Sequence, residues 1–168
     1  QAGRAAAKDA AMQAVDKSFP VVVTSNSGFP LDQNLYQTVK GMSAAARIVS
    51  PGGRILVASE CSDGVPDHGN FARIMREGSS AADVLSSIDA LETPILDQWQ
   101  AQILAGILEK ADVSVMTEMD RDEVEACKLD TIEDLNDGVR DALGDSEDPS
   151  IAVLPDGPLT IPYLEGAE

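Results

Sequence analysis

Tyr36, Gln37 and Lys40 stand close together in the run VVVTSNSGFPLDQNLYQTVKG, Val21 to Gly41. If the residues after Pro30 are helical, Gln37 and Lys40 are three positions apart and leave the helix in the same direction. An ammonium beside a carboxamide suits the capture of a carboxylate, one by charge and the other by hydrogen bond. The plainer reading has Tyr36 and Val39 facing a core while Gln37 and Lys40 are merely solvated. Trp99, the one tryptophan, offers a flat face that stacks on an aromatic ring or fills a core. Cys61 and His68 share one loop region, but Cys–His catalysis needs the pair within hydrogen-bond reach. A small buried thiol and a surface imidazole explain those two residues equally well.

The elements that must position these residues follow from the apolar pattern. Phe19 to Thr24 is a near-continuous apolar run, as in a buried parallel strand. It ends in Ser25-Asn26-Ser27-Gly28, a turn rich in hydroxyl, amide and N–H donors. A helix then follows, capped by Asp32 or the preceding turn and running to about Val49, with Gly41 as a point where it could break. In open α/β folds this strand-to-helix corner is where ligands bind. The helix adds its positive N-terminal pole, and side chains lean toward that end, so Lys40 can reach back.

The turn Ser50-Pro51-Gly52-Gly53 precedes a second buried strand, Arg54 to Ser59. The loop Glu60 to Gly64 lies at the same sheet edge as the first corner. Two short helices are expected over 71–78 and 80–90. Thr93 as N-cap and Pro94 at the first helical position start the helix that carries Trp99, Ile103, Leu104 and Ile107. Strand Ala111 to Thr117, helices near Arg121 to Cys127 and Thr131 to Leu143, strand Ser150 to Leu154 and an extended Pro-rich tail complete the chain. Residues 1–18 read as a connector helix, Gln1 to Lys17, with a small-residue face. The alternation predicts one α/β domain over residues 1–168. Its expected architecture is an open, mostly parallel, Rossmann-like sheet of four or five strands with helices on both faces.

Composition narrows the partners. The 168 residues carry 29 acids against 12 bases, a formal charge of -17. Such a chain repels phosphate backbones and anionic lipid, which excludes nucleic acid and membrane as partners. No apolar run approaches the roughly 20 residues of a membrane span. Two cysteines make no disulfide framework and fit reduced thiols in the cytoplasm. A single His and two separated Cys supply no zinc or nickel ligand set, so no metal site is expected here. Dinucleotide, Walker and nucleophile-elbow signatures are absent. The chain begins at Gln1 without Met, as an excised or processed piece would.

Three stretches resemble, in the same order, the C-terminal domain of the nickel-pincer lactate racemase family: TSNSGFPLDQNLYQTVKGM, GGRILVASECSDG and LDQWQAQIL. The resemblance covers about Pro20 to Leu108. It implies two-domain racemases or epimerases of 2-hydroxy acids that use a nickel-pincer nucleotide. It places the tethering lysine, the nickel-binding histidine and the acid/base histidines in an N-terminal domain. By motif match, Gln37 and Lys40 are the substrate-binding pair, with Lys40 at the carboxylate; Tyr36 shapes the pocket and Trp99 lies near the cofactor. The loop Gly64 to Phe71 is a candidate selector of the substrate side chain. No catalytic residue is expected in this chain, no cofactor is expected bound to it alone, and its partners are the missing N-terminal catalytic domain and a small 2-hydroxy acid. The alternative is a non-catalytic module that binds a small carboxylate.

Overall fold

The computed structural model describes residues 2–144 and 147–166. The chain opens with α1 (Ala2–Ala11), which buries none of its side chains, and β1 (Met12–Val15). The expected helix over Gln1 to Lys17 therefore ends at Ala11, and Gln1 lies outside the described residues. An Ala-rich helix has little apolar surface to gain by continuing. Met12 to Val15 instead find a partner in the tail, where β7 (Ile161–Leu164) lies parallel to them in the register Met12↔Ile161 to Val15↔Leu164.

The centre is a five-stranded sheet of β2 (Phe19–Ser25), β3 (Val49–Ala58), β4 (Asp112–Met116), β5 (Asp130–Thr131) and β6 (Ile151–Leu154). Its order is β5-β4-β3-β2-β6, and every pair is parallel. This is the open α/β sheet expected. The strand β5 went unread because two residues carry no periodicity. Ser50 to Gly53, expected as a turn, lie inside β3, where the register with β2 jumps from Phe19↔Val49 to Val21↔Arg54. The turn chemistry survives as an irregularity in the strand, with Gly52 at φ 73°.

Right-handed crossovers dictate which helix covers which face. From β2 outward through β3 to β5, the connections are α2 (Leu35–Ala46), then α3 (Phe71–Glu77), α4 (Ala81–Asp89) and α5 (Gln98–Leu108), then α6 (Arg121–Ala126). They share one face, where Val22, Ile55, Val57, Val113 and Val115 meet Leu35, Val39, Met42, Phe71 and Leu104. The return from β5 to β6 runs the other way and carries α7 (Leu135–Leu143) to the opposite face, where Gly138 lies over Leu56. The aliphatic core residues are almost wholly buried, and each contributes about 1.5–3 kcal/mol through loss of water contact.

The helix α2 is one continuous element with Asn34 as its cap, not Asp32: Asn34 Oδ1 accepts the Gln37 N–H at 3.0 Å. Gly41 does not break it. A Cβ there would lie 2.7 Å from the Ser25 carbonyl oxygen, so Gly41 is what lets the helix touch the end of β2. The helix with Trp99 starts at Gln98, four residues later than Thr93-Pro94 suggests, after Asp97 in the left-handed region.

Candidate functional site

The first turns of α2 project from the carboxyl edge of the sheet, where β2 delivers the chain. Backbone bonds stitch this corner to the loop after β3. Cys61 N–H donates to the Asp32 carbonyl at 2.9 Å, Asp63 N–H to Gln33 at 2.8 Å, and Leu35 N–H to Gly64 at 3.1 Å. The inward stripe of α2, Leu35, Thr38, Val39 and Met42, is buried and fixes the helix rotation. The outward stripe then carries Gln37, half-buried, and Lys40, exposed.

Lys40 Nζ donates to Gln37 Oε1, so the two side chains share one face of the helix. That bond engages the carboxamide oxygen, the one acceptor atom of the pair, through one of its two lone pairs. The Gln37 carboxamide N–H2 and the other ammonium hydrogens make the pair rich in donors. Tyr36 and Trp99 form a second pair, ring edge to ring face, with centroids 5.9 Å apart and planes at 84°. Phe71 closes the other side of Tyr36 at 5.5 Å. Trp99 is 50% exposed, so it is a wall with one free face and not a core residue.

Tyr36 is held at both ends. Its hydroxyl donates to Asp97 Oδ1 at 3.3 Å, and its carbonyl accepts the Gln100 Nε2–H at 2.7 Å. Burial, and then the charge and hydrogen bond of Asp97, push the Tyr36 phenol above the ordinary tyrosine range. Asp97 and Gln100 lie within the stretch LDQWQAQIL, but nothing in it singles them out as site residues. Their part depends on contacts between α2 and α5, which sequence spacing does not reveal.

The turn after β2 is less available than its composition suggests. Asn26 is fully buried: its Oδ1 accepts the Gly41 N–H at 3.1 Å and its Nδ2 donates to the Leu31 carbonyl. Ser25 Oγ donates to Pro155 O and accepts from Ser27 N–H at 3.0 Å. A cleft of about 440 Å³ opens at the strand ends, lined by Ser25, Gly28, Asp32, Ser59, Glu60 and Glu118 among others. Tyr36, Gln37, Lys40 and Trp99 are not in its lining; Tyr36 and Gln37 are half-buried, and Lys40 and Trp99 are exposed.

Cys61 is buried with its Sγ 3.3 Å from both Thr38 Oγ1 and Ser59 Oγ. His68 is exposed and is not among its partners. Cys61 and Cys127 are both free thiols. Among the described residues, no group of three or more His, Cys, Asp or Glu could hold a metal ion. No helix among them is long and apolar enough to cross a membrane.

The family profile of the lactate racemase C-terminal domain matches residues 14–161. Lactate racemase from Thermoanaerobacterium thermosaccharolyticum is 39% identical over 145 residues, covering 84% of this chain and 34% of that protein. Lactate racemase from Lactiplantibacillus plantarum is 31% identical over 144 residues, covering 82% of this chain and 33% of its own length. The chain thus spans about a third of these relatives. The structure of the lactate racemase apoprotein from T. thermosaccharolyticum superposes with a TM-score of 0.88 at 34% identity, over 96% of this chain and 39% of that one. Fold, profile and identity agree: the chain belongs to the family of lactate racemase C-terminal domains.

Proposed function

We propose that this chain is the substrate-covering domain of a nickel-dependent racemase or epimerase of 2-hydroxy acids, lactate being the type substrate, and that it turns over nothing alone. The observation that carries this reading is the Lys40–Gln37 hydrogen bond on an outward face of α2. It leaves an ammonium and a carboxamide N–H2 to donate outward, and the positive charge favours a carboxylate. Lys40 supplies the charge, Gln37 fixes the orientation, and Tyr36 with Trp99 forms the adjoining wall.

A nickel-pincer nucleotide fits this chain only in part. Trp99 offers a free face for a flat ring. Among the described residues no group of three or more His, Cys, Asp or Glu could hold a metal ion, and this reading assigns the metal's ligation and the tether to the N-terminal domain. When bound, such a group supplies the acceptor for the C2 hydride. This chain's own contribution is to hold the carboxylate still and to cover the reacting carbon from water. Two unpaired thiols are in keeping with a cytoplasmic setting.

The test is Lys40→Ala in the complete two-domain protein. Losing a charged hydrogen bond to the substrate should lower kcat/KM by about tenfold to a hundredfold. Thermal stability should stay unchanged, because Lys40 is exposed. An unaltered kcat/KM, or racemisation by the 168-residue chain alone, overturns the reading.

A further inference from the structure

Asp97 sits directly ahead of α5 with φ 65° and makes no side-chain bond to the helix it precedes. A carboxylate in that position ordinarily satisfies the free N–H groups of the first turn. Here it is turned across to α2, with Oδ1 3.3 Å from the Tyr36 hydroxyl. Gly69 creates the space. It has φ 75°, and a Cβ there would lie 1.9 Å from Asp97 Oδ2. Next to it, Asn70 Nδ2 donates to the Leu96 carbonyl at 3.0 Å, which ties this loop to the residue before Asp97. The Tyr36 ring is wedged between Phe71 and Trp99, and its backbone carbonyl is held by Gln100. Among these packed neighbours Asp97 is the one that carries charge.

We propose that Asp97 is a positioning residue for Tyr36, accepting the hydrogen bond of its phenolic O–H so that the phenol oxygen meets the substrate as a hydrogen-bond acceptor, and that Gly69 leaves the room this requires. The proposal rests on the reading of Tyr36 as a substrate contact. A phenol has one proton to give. With it committed to Asp97, the oxygen suits the proton of a substrate hydroxyl and is mismatched to a carboxylate. Gln37 and Lys40 have the opposite character, offering an ammonium and a carboxamide N–H2. The two pairs would then read the two groups of a 2-hydroxy acid separately, carboxylate on one side and hydroxyl on the other. Burial first, and then the charge and hydrogen bond of Asp97, raise the titration of Tyr36.

The chain has two tyrosines, so tyrosinate absorbance against pH resolves Tyr36 directly. Tyr36→Phe identifies its step as the one that vanishes. Asp97→Asn keeps the side-chain shape and removes the charge, so the Tyr36 step should move to lower pH. Gly69→Ala, which drives the same carboxylate away, should give the same shift. It stands in for the Asn variant if that one does not fold. A Tyr36 step that stays put in the folded variant overturns the proposal and leaves the role of Lys40 untouched. In the complete enzyme, Asp97→Asn should lower kcat/KM by about tenfold. If the titration shifts while kcat/KM does not, Asp97 holds a tyrosine that the substrate never meets, and the substrate half of the proposal is wrong.

Discussion

The corners after β2 and β3 lie side by side at one edge of the sheet, joined by backbone hydrogen bonds, and they spend their polar residues in opposite ways. After β3, Ser59 and Cys61 turn inward and meet Thr38: the Ser59 and Thr38 hydroxyls are 2.6 Å apart and the thiol lies 3.3 Å from each. Those groups satisfy one another and have nothing left for a ligand. After β2, the buried polar residue Asn26 is equally consumed, but the next helix carries Gln37 and Lys40 past the point of burial. The comparison teaches that a strand-to-helix corner can offer a ligand only the polarity that its own packing leaves unspent. A count of polar residues would rank these corners together; their hydrogen bonds separate them.

The strongest challenge to this contrast is Gly41→Ala. The new methyl would meet the Ser25 carbonyl at 2.7 Å, and Gly157 crowds the same spot, its own absent Cβ lying 2.9 Å from the Gly41 Cα. Overpacking of this kind costs about 1–3 kcal/mol, and the shift of α2 should carry Gln37 and Lys40 with it. Urea unfolding that shows no loss would mean that the helix is not pinned to β2. Thr38→Val tests the inward corner. It removes the hydroxyl that Ser59 and Cys61 share, at a site with no water access, and should cost about 1–2 kcal/mol in the same assay. Thr38→Ser should recover most of that. If Val is tolerated freely, the inward network contributes nothing and the contrast loses half its content.

The smallest effect concerns the thiols. Cys61 is 2% exposed, and Cys127 is fully buried with its thiol pushed up to about 11 by that burial. Iodoacetamide at neutral pH should leave both unmodified until the chain unfolds. Rapid labelling of Cys61 in the native protein would show that the second corner is open after all, and would restore a thiol reading of it.

The sequence was most informative where an element declares itself locally. The apolar runs in β2 and β3 and the inward stripe of α2 are visible as patterns, and so is the i, i+3 spacing of Gln37 and Lys40. Elements whose partners are remote were hidden. Met12 to Val15 continue a helical pattern, and only pairing with Ile161 to Leu164, at the far end of the chain, makes them a strand. Thr93-Pro94 carries every local sign of a helix start, yet α5 waits for Asp97, whose carboxylate is engaged by Tyr36 instead. The same non-locality hid the contacts that Asp97 makes with Tyr36 and Gly69, although one residue lies in LDQWQAQIL and the other in the Gly64 to Phe71 loop. Their meaning lies in positive φ angles and in a contact between separate helices, neither of which a spacing rule registers.

The parallel pairing of β1 with β7 has a mechanical corollary. Tension applied to the chain before Met12 and after Leu164 would drag two like-directed strands in opposite senses along their lengths. Their rungs would then be loaded together in shear, not peeled one by one, with the bond from Glu165 N–H to the Val15 carbonyl among them. A pull applied in that way would meet this clasp before it reached the sheet that supports Lys40.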